Sequence, residues 1–165
     1  MKPVKLDYKA MKAAGFRFIL VGIESANQET IDRIKKGQRC DETIEVLKSM
    51  ADAGLEPHGT FMTGYPWEDA GQERNTIKLC HYLLKKGYLK TVQVSVFSPP
   101  RTQPDPNNPG NKYLPKFYSV FKSPTFLIRK ALDIKCWEDF TYLLRGPRLV
   151  IEENWRKFCL TKSRS

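Results

Sequence analysis

The sequence predicts an α/β fold in which parallel strands alternate with helices. Three short runs rich in β-branched and aromatic residues, at 18–23, 55–63 and 91–97, are typical of strands and too short for buried helices. Apolar residues at helical spacing separate these runs, so each pair of successive strands needs a crossover and is expected to be parallel. Glycines stand where the helices are expected to end, at positions 15, 37, 54 and 87.

The first elements follow from apolar spacing and capping signals. Residues 7–14 carry one apolar stripe and predict a short helix ahead of the first strand. The second helix is expected to start near Ser25 or Asn27, because Ser25 and Gln28 have the spacing of a capping box. Gly37 is its expected end.

Two further helices are predicted around the second strand. Asp41 is the expected N-cap of a helix that ends at Gly54, and its buried stripe is Ile44, Leu47, Met50 and Ala51. After the second strand, residues 64–71 form a loop in which Pro66 prevents regular pairing. Residues 72–86 are then expected to be helical. The predicted buried side of that helix consists of Ile77, Leu79, Tyr82, Leu83 and Leu84.

The regular alternation of strands and helices ends after the third strand. Residues 98–111 contain five prolines and no apolar periodicity, so they predict a long loop at the carboxyl end of the strand. Short helices are expected beyond it, at 114–122, 125–134, 137–144 and 149–158, and the last seven residues are expected to fray. None of these helices could fold alone, so we expect them to pack on the sheet.

Composition limits the class of protein. The 165 residues suffice for one ordinary domain and fall short of the roughly 250 that an eight-stranded barrel needs. The cysteines at 40, 80, 136 and 159 form no close cluster, so reduced thiols, a cytoplasmic location and no bound metal are predicted. No apolar run predicts a membrane-spanning helix or an export signal.

The positive charge is concentrated near the C-terminus. The formal net charge is +10, and residues 112–165 hold twelve Lys and Arg against five Asp and Glu. This region could meet RNA, an anionic membrane surface or an acidic partner, or it could be a solvated face. It contains no recognised nucleic-acid motif.

Candidate site residues stand at the ends of the first two strands. Glu24 could accept hydrogen bonds from a ligand's hydroxyls or amino group, or stabilise the start of the next helix. Gly59 and Gly64 could let a ligand approach the backbone, and Gly64 could instead serve a turn. Glu68 could be a ligand contact or a carboxylate at the start of a helix. For Ser25 we favour the capping role.

Aromatic and histidine side chains are also candidates. Tyr65, Trp67 and Phe97 could stack on a planar ligand, although aromatic residues at strand ends more often serve packing. His58 and His81 lack other ligand-type residues at metal spacing, so neither is expected to bind a metal or act in catalysis.

Three motifs stand in a distinctive order: Gly-Ile-Glu-Ser at 22–25 with the helix at 27–37, Gly-Thr-Phe-Met-Thr-Gly-Tyr-Pro-Trp-Glu at 59–68, and Phe-Ser-Pro-Pro-Arg-Thr at 97–102. In their order and spacing, these motifs resemble the second half of a radical S-adenosylmethionine (radical SAM) domain. The nearest resemblance is to the group that carries a B12-binding domain ahead of the barrel. The tail sequence at 123–132 is similar to the tail of that group.

The resemblance implies a partial (β/α) TIM-like barrel, of which this chain holds strands four to six. Residues 1–105 would form the second half of the barrel, and 106–165 a Pro-rich loop and helical C-terminal extension. Members of the family bind S-adenosylmethionine (SAM) and a [4Fe-4S] cluster, and in this group cobalamin also. Matching positions imply that Glu24 and Ser25 contact the ribose and methionyl part of SAM. The positions implied for the adenine side are Gly59, Phe61, Gly64, Phe97 and Ser98.

This sequence differs from the family in lacking the residues that bind the [4Fe-4S] cluster. It has no CxxxCxxC motif, and too few residues precede position 7 for strands one to three. We therefore expect a fragment or split half that contributes part of a SAM pocket, with the cluster on an N-terminal half or an upstream-encoded chain, and we assign no catalytic residue. The substrate, a small or lipid-like molecule, is not determined. The alternative is a non-catalytic α/β binding module that uses its basic tail.

Overall fold

The computed structural model describes residues 6–99, 102, 103 and 105–132, and it contains a three-stranded parallel sheet with helices between the strands. The elements in order are α1 (Tyr8–Ala13), β1 (Phe18–Glu24), α2 (Gln28–Arg33), α3 (Thr43–Asp52), β2 (Glu56–Thr63), α4 (Ala70–Lys86), β3 (Thr91–Val96), α5 (Leu114–Tyr118) and α6 (Pro124–Leu132). The predicted α/β class and the parallel strands are confirmed. The structure does not identify the sheet as part of a barrel.

The strands lie in the order β1, β2, β3, so β2 is central. Phe18 pairs with Glu56 and His58 with Thr91, which sets the register of the two ladders. The β1 register shifts between Gly22 and Glu24, and this irregularity stands at the carboxyl end of the strand. Because the strands are parallel, the residues that follow all three of them gather at one edge of the sheet.

Strand alternation gives the sheet one covered and one open face. The covered face packs against the hydrophobic core, whose most deeply buried residues are Ile23, Leu47, Phe61, Cys80, Leu83, Leu84, Leu89, Phe117 and Val120. We call the other side the open face; it consists of residues 18, 20 and 22 of β1, 56, 58, 60 and 62 of β2, and 91, 93 and 95 of β3. None of these residues is buried. Phe18 and Leu20 are 56% and 66% exposed.

The predicted capping box at the start of α2 is wrong. Asn27 is the N-cap and makes no side-chain capping bond. The Ser25 hydroxyl instead accepts from the Asn27 N–H at 3.1 Å, and the Gln28 amide donates to Asp32 at 2.8 Å. Ser25 is drawn away from a capping position because stronger partners lie on the β2–α4 connection, described below.

Two other helix starts also differ from the prediction. Asp41 lies inside a 3-10 turn, Cys40–Glu42, and α3 begins only at Thr43. The fourth helix begins at Ala70, two residues early, because Asp69 accepts from the third helical N–H and Gln72 reaches back to the Asp69 N–H in a capping box. Ile44 and Tyr82, which we expected to be buried, are 37% and 41% exposed.

The segment after β3 returns to the core. A 3-10 turn at Pro109–Lys112 leads into α5 and a further turn, Ser119–Lys122, and Phe117 and Val120 are fully buried. By its internal contacts the chain divides into two units, 1–126 and 127–165. The predicted boundary at 105 and 106 remains a prediction, as do the helices at 137–144 and 149–158, which lie outside the described residues. No helix in the described part of the chain is long and apolar enough to cross a membrane.

Candidate functional site

A polar cluster joins the carboxyl ends of β1 and β2. Its centre is the Glu68 carboxylate, whose Oε1 accepts from the hydroxyls of Ser25 and Thr30, each at 2.6 Å, and from the Asn27 amide at 3.0 Å. Ser25 and Asn27 belong to the turn from β1 into α2, and Thr30 lies in the first turn of α2. Thr76 on α4 completes the cluster, since its hydroxyl accepts from the Ala26 N–H at 3.1 Å. Glu68 therefore ties the β1–α2 turn to the β2–α4 connection.

The Ser25 hydroxyl is already fully engaged in this cluster. Its one proton goes to Glu68, and its oxygen accepts from the backbone and side-chain nitrogens of Asn27 at 3.1 and 3.0 Å. The residue is 1% exposed. Among the described residues, the Ser25 hydroxyl therefore has no further proton to donate to a ligand. Its hydrogen bonds hold the backbone next to Glu24.

The second carboxylate oxygen of Glu68, Oε2, is buried without a hydrogen-bond partner among the described residues. Buried carboxylate oxygens are costly when left unpaired, so the three donors on Oε1 must hold the group in place against that cost. Glu68 directly precedes Asp69, the N-cap of α4, so it is a carboxylate near the start of that helix, and its hydrogen bonds go to the polar cluster.

Glu24 ends β1 in an unusual backbone conformation. Its φ is +64°, and the Ser25 N–H donates to the Ile23 carbonyl at 2.8 Å across it. The Glu24 carboxylate accepts from Lys36 Nζ at 2.6 Å. A Cβ on Gly22 would overlap that ammonium and would lie 2.8 Å from Glu24 Oε1. The Glu24–Lys36 pair therefore lies over Gly22, at the open face of the sheet.

A second carboxylate supports the end of β2. Glu73 on α4 is 2% exposed, and it accepts from the Thr63 hydroxyl at 2.5 Å and the Gly64 N–H at 2.6 Å. Burial raises the pKa of the Glu73 carboxyl, although these two hydrogen bonds act in the opposite direction. The bonds fix the backbone at the point where β2 ends and the Gly64 turn begins.

The predicted glycines are packed against protein atoms. Gly64 has φ +81°, and a Cβ there would lie 2.9 Å from the Cα of Gly110. Asn108 donates to the carbonyls of Gly64 and Phe97 at 3.3 and 3.1 Å, which holds the Pro-rich segment over the ends of β2 and β3. At Gly59 a Cβ would lie 2.7 Å from a methyl carbon of Leu89. At both positions, glycine is therefore required because other protein atoms of this chain pack closely against the backbone.

Three aromatic rings stand beside the polar cluster. The rings of Tyr65 and Trp67 stack with centroids 5.1 Å apart, and Phe97 lies 5.0 Å from Tyr65 and 5.6 Å from Trp67. The Trp67 N–H donates to Thr30 at 3.2 Å, and the Arg33 guanidinium lies 5.5 Å from the Trp67 ring centre. The rings therefore fasten the cluster to the end of β3.

Burial and nearby carboxylates both act on the Tyr65 hydroxyl at this edge of the sheet. The ring is buried, and burial raises the pKa of its hydroxyl; the carboxylates of Glu24, Glu68 and Glu73 raise it further. Three carboxylates thus act on one buried side chain at the carboxyl edge of the sheet.

The remaining predicted site residues are dispersed. Phe61 is 1% exposed and its ring lies 6.0 Å from that of Phe117, which places it in the core on the covered face. Ser98 is half-buried, and its hydroxyl lies 3.1 Å from that of Thr102. Glu24, Gly64 and Phe97 stand at the carboxyl edge, whereas Gly59 and Phe61 lie further back along β2. The structure does not test their assignment to a cofactor.

Both histidines are hydrogen-bonded to protein groups, and both described cysteines are free thiols. His58 pairs with the Thr91 hydroxyl at 2.6 Å, and His81 Nε2 donates to the carbonyls of Lys116 and Phe117 at 2.9 and 3.1 Å. Cys40 is a half-buried free thiol at the wall of a surface cavity of about 480 Å³, and Cys80 is a fully buried free thiol. Within the described residues, no three His, Cys, Asp or Glu side chains group as metal ligands.

Sequence reasoning missed Lys36, Thr30 and Thr76. Lys36 looks like an ordinary basic residue at the end of an amphipathic helix, and only the fold shows that it reaches back to β1. Thr30 and Thr76 are both fully buried polar residues on amphipathic helices. The available signal was helical spacing, since Thr30 stands four residues before Ile34 and Thr76 stands four residues before Cys80, which is buried.

Comparison with known proteins shows a similarity over part of the chain. No family model matches the chain. Over 75 residues it is 35% identical to an uncharacterized methyltransferase of Pyrococcus horikoshii, and the match covers 46% of this chain and 16% of that relative. The matched region is thus about a sixth of the relative's length. The similarity is to a protein that is named for methyl transfer.

Proposed function

We propose that this chain supplies part of the SAM-binding pocket of a SAM-dependent enzyme of the radical SAM type. The observation that carries the proposal is Glu24, a carboxylate held at positive φ at the carboxyl end of β1 and directed over Gly22 on the open face. Ligands of parallel α/β folds bind at this edge. A carboxylate there can accept hydrogen bonds from ribose hydroxyls or an amino group.

The surroundings of Glu24 are suited to such a ligand. The cluster around Glu68 pre-organises the β1–α2 turn, so that Glu24 does not need to be ordered on binding. The named methyltransferase relative supports the use of SAM, and the motif resemblance supports the radical SAM type.

The described residues do not fit an iron–sulfur cluster. Such a cluster needs several thiolates brought together. Cys80 is fully buried in the hydrophobic core, and the described residues contain no group of three or more His, Cys, Asp or Glu side chains that could hold a metal ion. We therefore place the cluster, and any cobalamin, on another chain or segment, and the residues here bind and orient SAM only. The resulting partner would be a cluster-bearing half that also covers the open face.

Calorimetric titration of the full chain with SAM tests the proposal. Wild type is expected to release or absorb heat with a saturable curve, and Glu24→Gln is expected to bind about tenfold more weakly, because a charged acceptor is lost. Glu29→Gln is the matched control: it removes one carboxylate from the exposed side of α2 and should bind as wild type does. No saturable heat from a folded protein, or equal affinity in Glu24→Gln, would overturn the proposal.

The neighbouring reading frame provides an independent test of the partner. We expect a frame immediately upstream to encode a CxxxCxxC motif and three further strands. An unrelated neighbour would count against a split enzyme. In the alternative, a binding module with a basic tail, Glu24→Ala leaves partner binding intact, whereas neutralising Arg129, Lys130 and Lys135 weakens it and flattens its salt dependence.

A further inference from the structure

Every charged side chain on the exposed surface of α4 is a cation. The helix carries one carboxylate, Glu73, which is buried and hydrogen-bonded to the end of β2. At 3.6 residues per turn, the exposed cations share about a third of the helix circumference. We call this surface the basic face; it consists of Arg74, Lys78, Lys85 and Lys86.

The basic face has no ion-pair partner in the described part of the chain, unlike several surface cations nearer the N-terminus. On α3, for example, Lys48 pairs with Asp52 at 2.7 Å. Asp69 interacts electrostatically with Arg74, but its carboxylate already caps α4. Arg74 and Lys78 stand four residues apart, so their like charges repel each other on the helix surface. Stability of the helix therefore does not account for these two cations.

The segment that packs beside α4 adds two more exposed cations. His81 Nε2 donates to the Lys116 carbonyl at 2.9 Å, so α5 lies against α4. Lys112 and Lys116 are exposed, and their ammonium groups lie 4.9 and 5.3 Å from the centre of the Tyr113 ring. In the sequence, residues 70–132 hold eleven Lys and Arg against two Asp and Glu, whereas the residues before them hold ten against eleven. Most of the excess positive charge therefore belongs to the part of the chain that contains the basic face.

We propose that the basic face binds the phosphates of a single-stranded nucleic acid and that Tyr82 stacks on one of its bases. The cations extend along about 18 Å of the helix, from Arg74 to Lys86, which suits a linear chain of phosphates. Tyr82 lies among them and is 41% exposed, and the Lys86 ammonium lies 5.9 Å from the centre of its ring. Proteins that bind single strands combine cations along the backbone with aromatic rings for the bases. The basic face shares no residue with the proposed SAM site, so the two proposals are independent.

Other polyanions fit the basic face less well. The cores of protein interfaces are depleted in lysine, and three of the four cations are lysines. Surfaces that bind anionic membranes combine cations with exposed Trp, Phe or Leu side chains. In α4, which lies wholly within the described residues, Tyr82 is the one large exposed hydrophobic side chain. In a duplex the bases are paired and stacked, so Tyr82 could not reach one. A single strand is thus the occupant that uses both the cations and the ring.

Fluorescence anisotropy of a labelled oligouridine, about 16 nucleotides long, titrated with the full chain tests this inference. With four phosphate contacts, a plot of log association constant against log salt concentration should have a slope of about −3. Lys78→Gln, Lys85→Gln and Lys86→Gln combined should weaken binding at least about tenfold at about 0.1 M salt and reduce the slope to about −1. An oligodeoxythymidine of the same length should bind comparably, since neither contact reads the 2′-hydroxyl.

A matched control carries the same loss of net charge. Lys9→Gln, Lys35→Gln and Lys48→Gln combined neutralise three exposed lysines outside the basic face and should weaken binding by less than about twofold. Tyr82→Ala should weaken binding about tenfold with an unchanged slope, because it removes the stacking ring and no charge. Tyr82→Phe keeps the ring and should bind as wild type does. Circular dichroism checks that each variant is folded.

The outcomes separate a specific surface from a general effect of charge. Equal losses in the two triple variants would show that net charge alone matters and would overturn this inference. Unchanged binding by Tyr82→Ala, or tighter binding of the wild-type chain to double-stranded RNA or phosphatidylserine vesicles than to oligouridine, would also overturn it. A folded wild-type chain without salt-dependent binding would exclude the inference as well, and it would leave the proposed SAM site untouched.

Discussion

The Ser25 hydroxyl donates to Glu68 Oε1 over 2.6 Å and joins two residues 43 positions apart in the chain. Ser25 directly follows the last residue of β1, and Glu68 directly precedes the N-cap of α4. The contact couples the two connections that leave the carboxyl edge of β1 and β2. It also holds the backbone immediately after Glu24, the residue on which the proposed ligand site depends.

Removal of the Glu68 carboxylate should destabilise the fold. In Glu68→Ala the donors on Ser25, Thr30 and Asn27 lose their shared acceptor in a largely buried region. We expect the free energy of unfolding to fall by about 2–4 kcal/mol, measured by urea denaturation. Glu29→Ala removes an exposed carboxylate and should cost less than about 0.5 kcal/mol. Equal stabilities for the two variants would show that the cluster contributes nothing.

Glu73 predicts a specific pH dependence of stability. Burial raises the pKa of its carboxyl above the ordinary 4.5. The folded state therefore holds the proton more tightly than the unfolded state, and this group's contribution to stability falls as the pH rises from 4.5 through the folded pKa. Below 4.5 the carboxyl is protonated in both states, and the contribution is constant.

Glu73→Gln should remove this dependence. The amide oxygen can accept from the Gly64 N–H, and the amide nitrogen can donate to the Thr63 hydroxyl, so both hydrogen bonds survive. At pH 7 we expect the variant to be as stable as wild type or about 1 kcal/mol more stable, with a flatter profile above pH 4.5. Glu45→Gln, at an exposed position on α3, is the control. A steeper profile in Glu73→Gln than in the control would refute this account.

The open face predicts self-association of the isolated chain. Phe18 and Leu20 are exposed on β1, and β2 is the strand's one partner among the described residues, so its other edge is unpaired there. Leu20→Lys should shift the protein toward monomer in sedimentation velocity, with a change in unfolding free energy below about 0.5 kcal/mol. Val46→Lys, a similar change on α3, should leave association unaltered. A wild-type chain that is monomeric at every concentration would contradict the prediction.

Local patterns were sufficient for the three strands and their parallel direction. The strands at 18–23, 55–63 and 91–97 were each placed to within one residue at either end, because β-branched runs bounded by glycine carry their signal within a few residues. The helix ends at Gly54 and Gly87 were equally local, since a left-handed C-terminal residue favours glycine. The helix starts were less predictable, because several acidic and hydroxyl residues competed for each capping position.

The sequence by itself therefore determined the alternation of strands and helices, the parallel sheet and the placement of Glu24 at its carboxyl edge, all of which depend on short-range periodicity and turn chemistry. Only the tertiary structure decided what those residues touch. Ser25 meets Glu68 instead of capping a helix, Gly59 makes room for Leu89, and Lys36 pairs with Glu24. These contacts follow from the packing of segments that are distant in sequence, and no local pattern of residues records that packing.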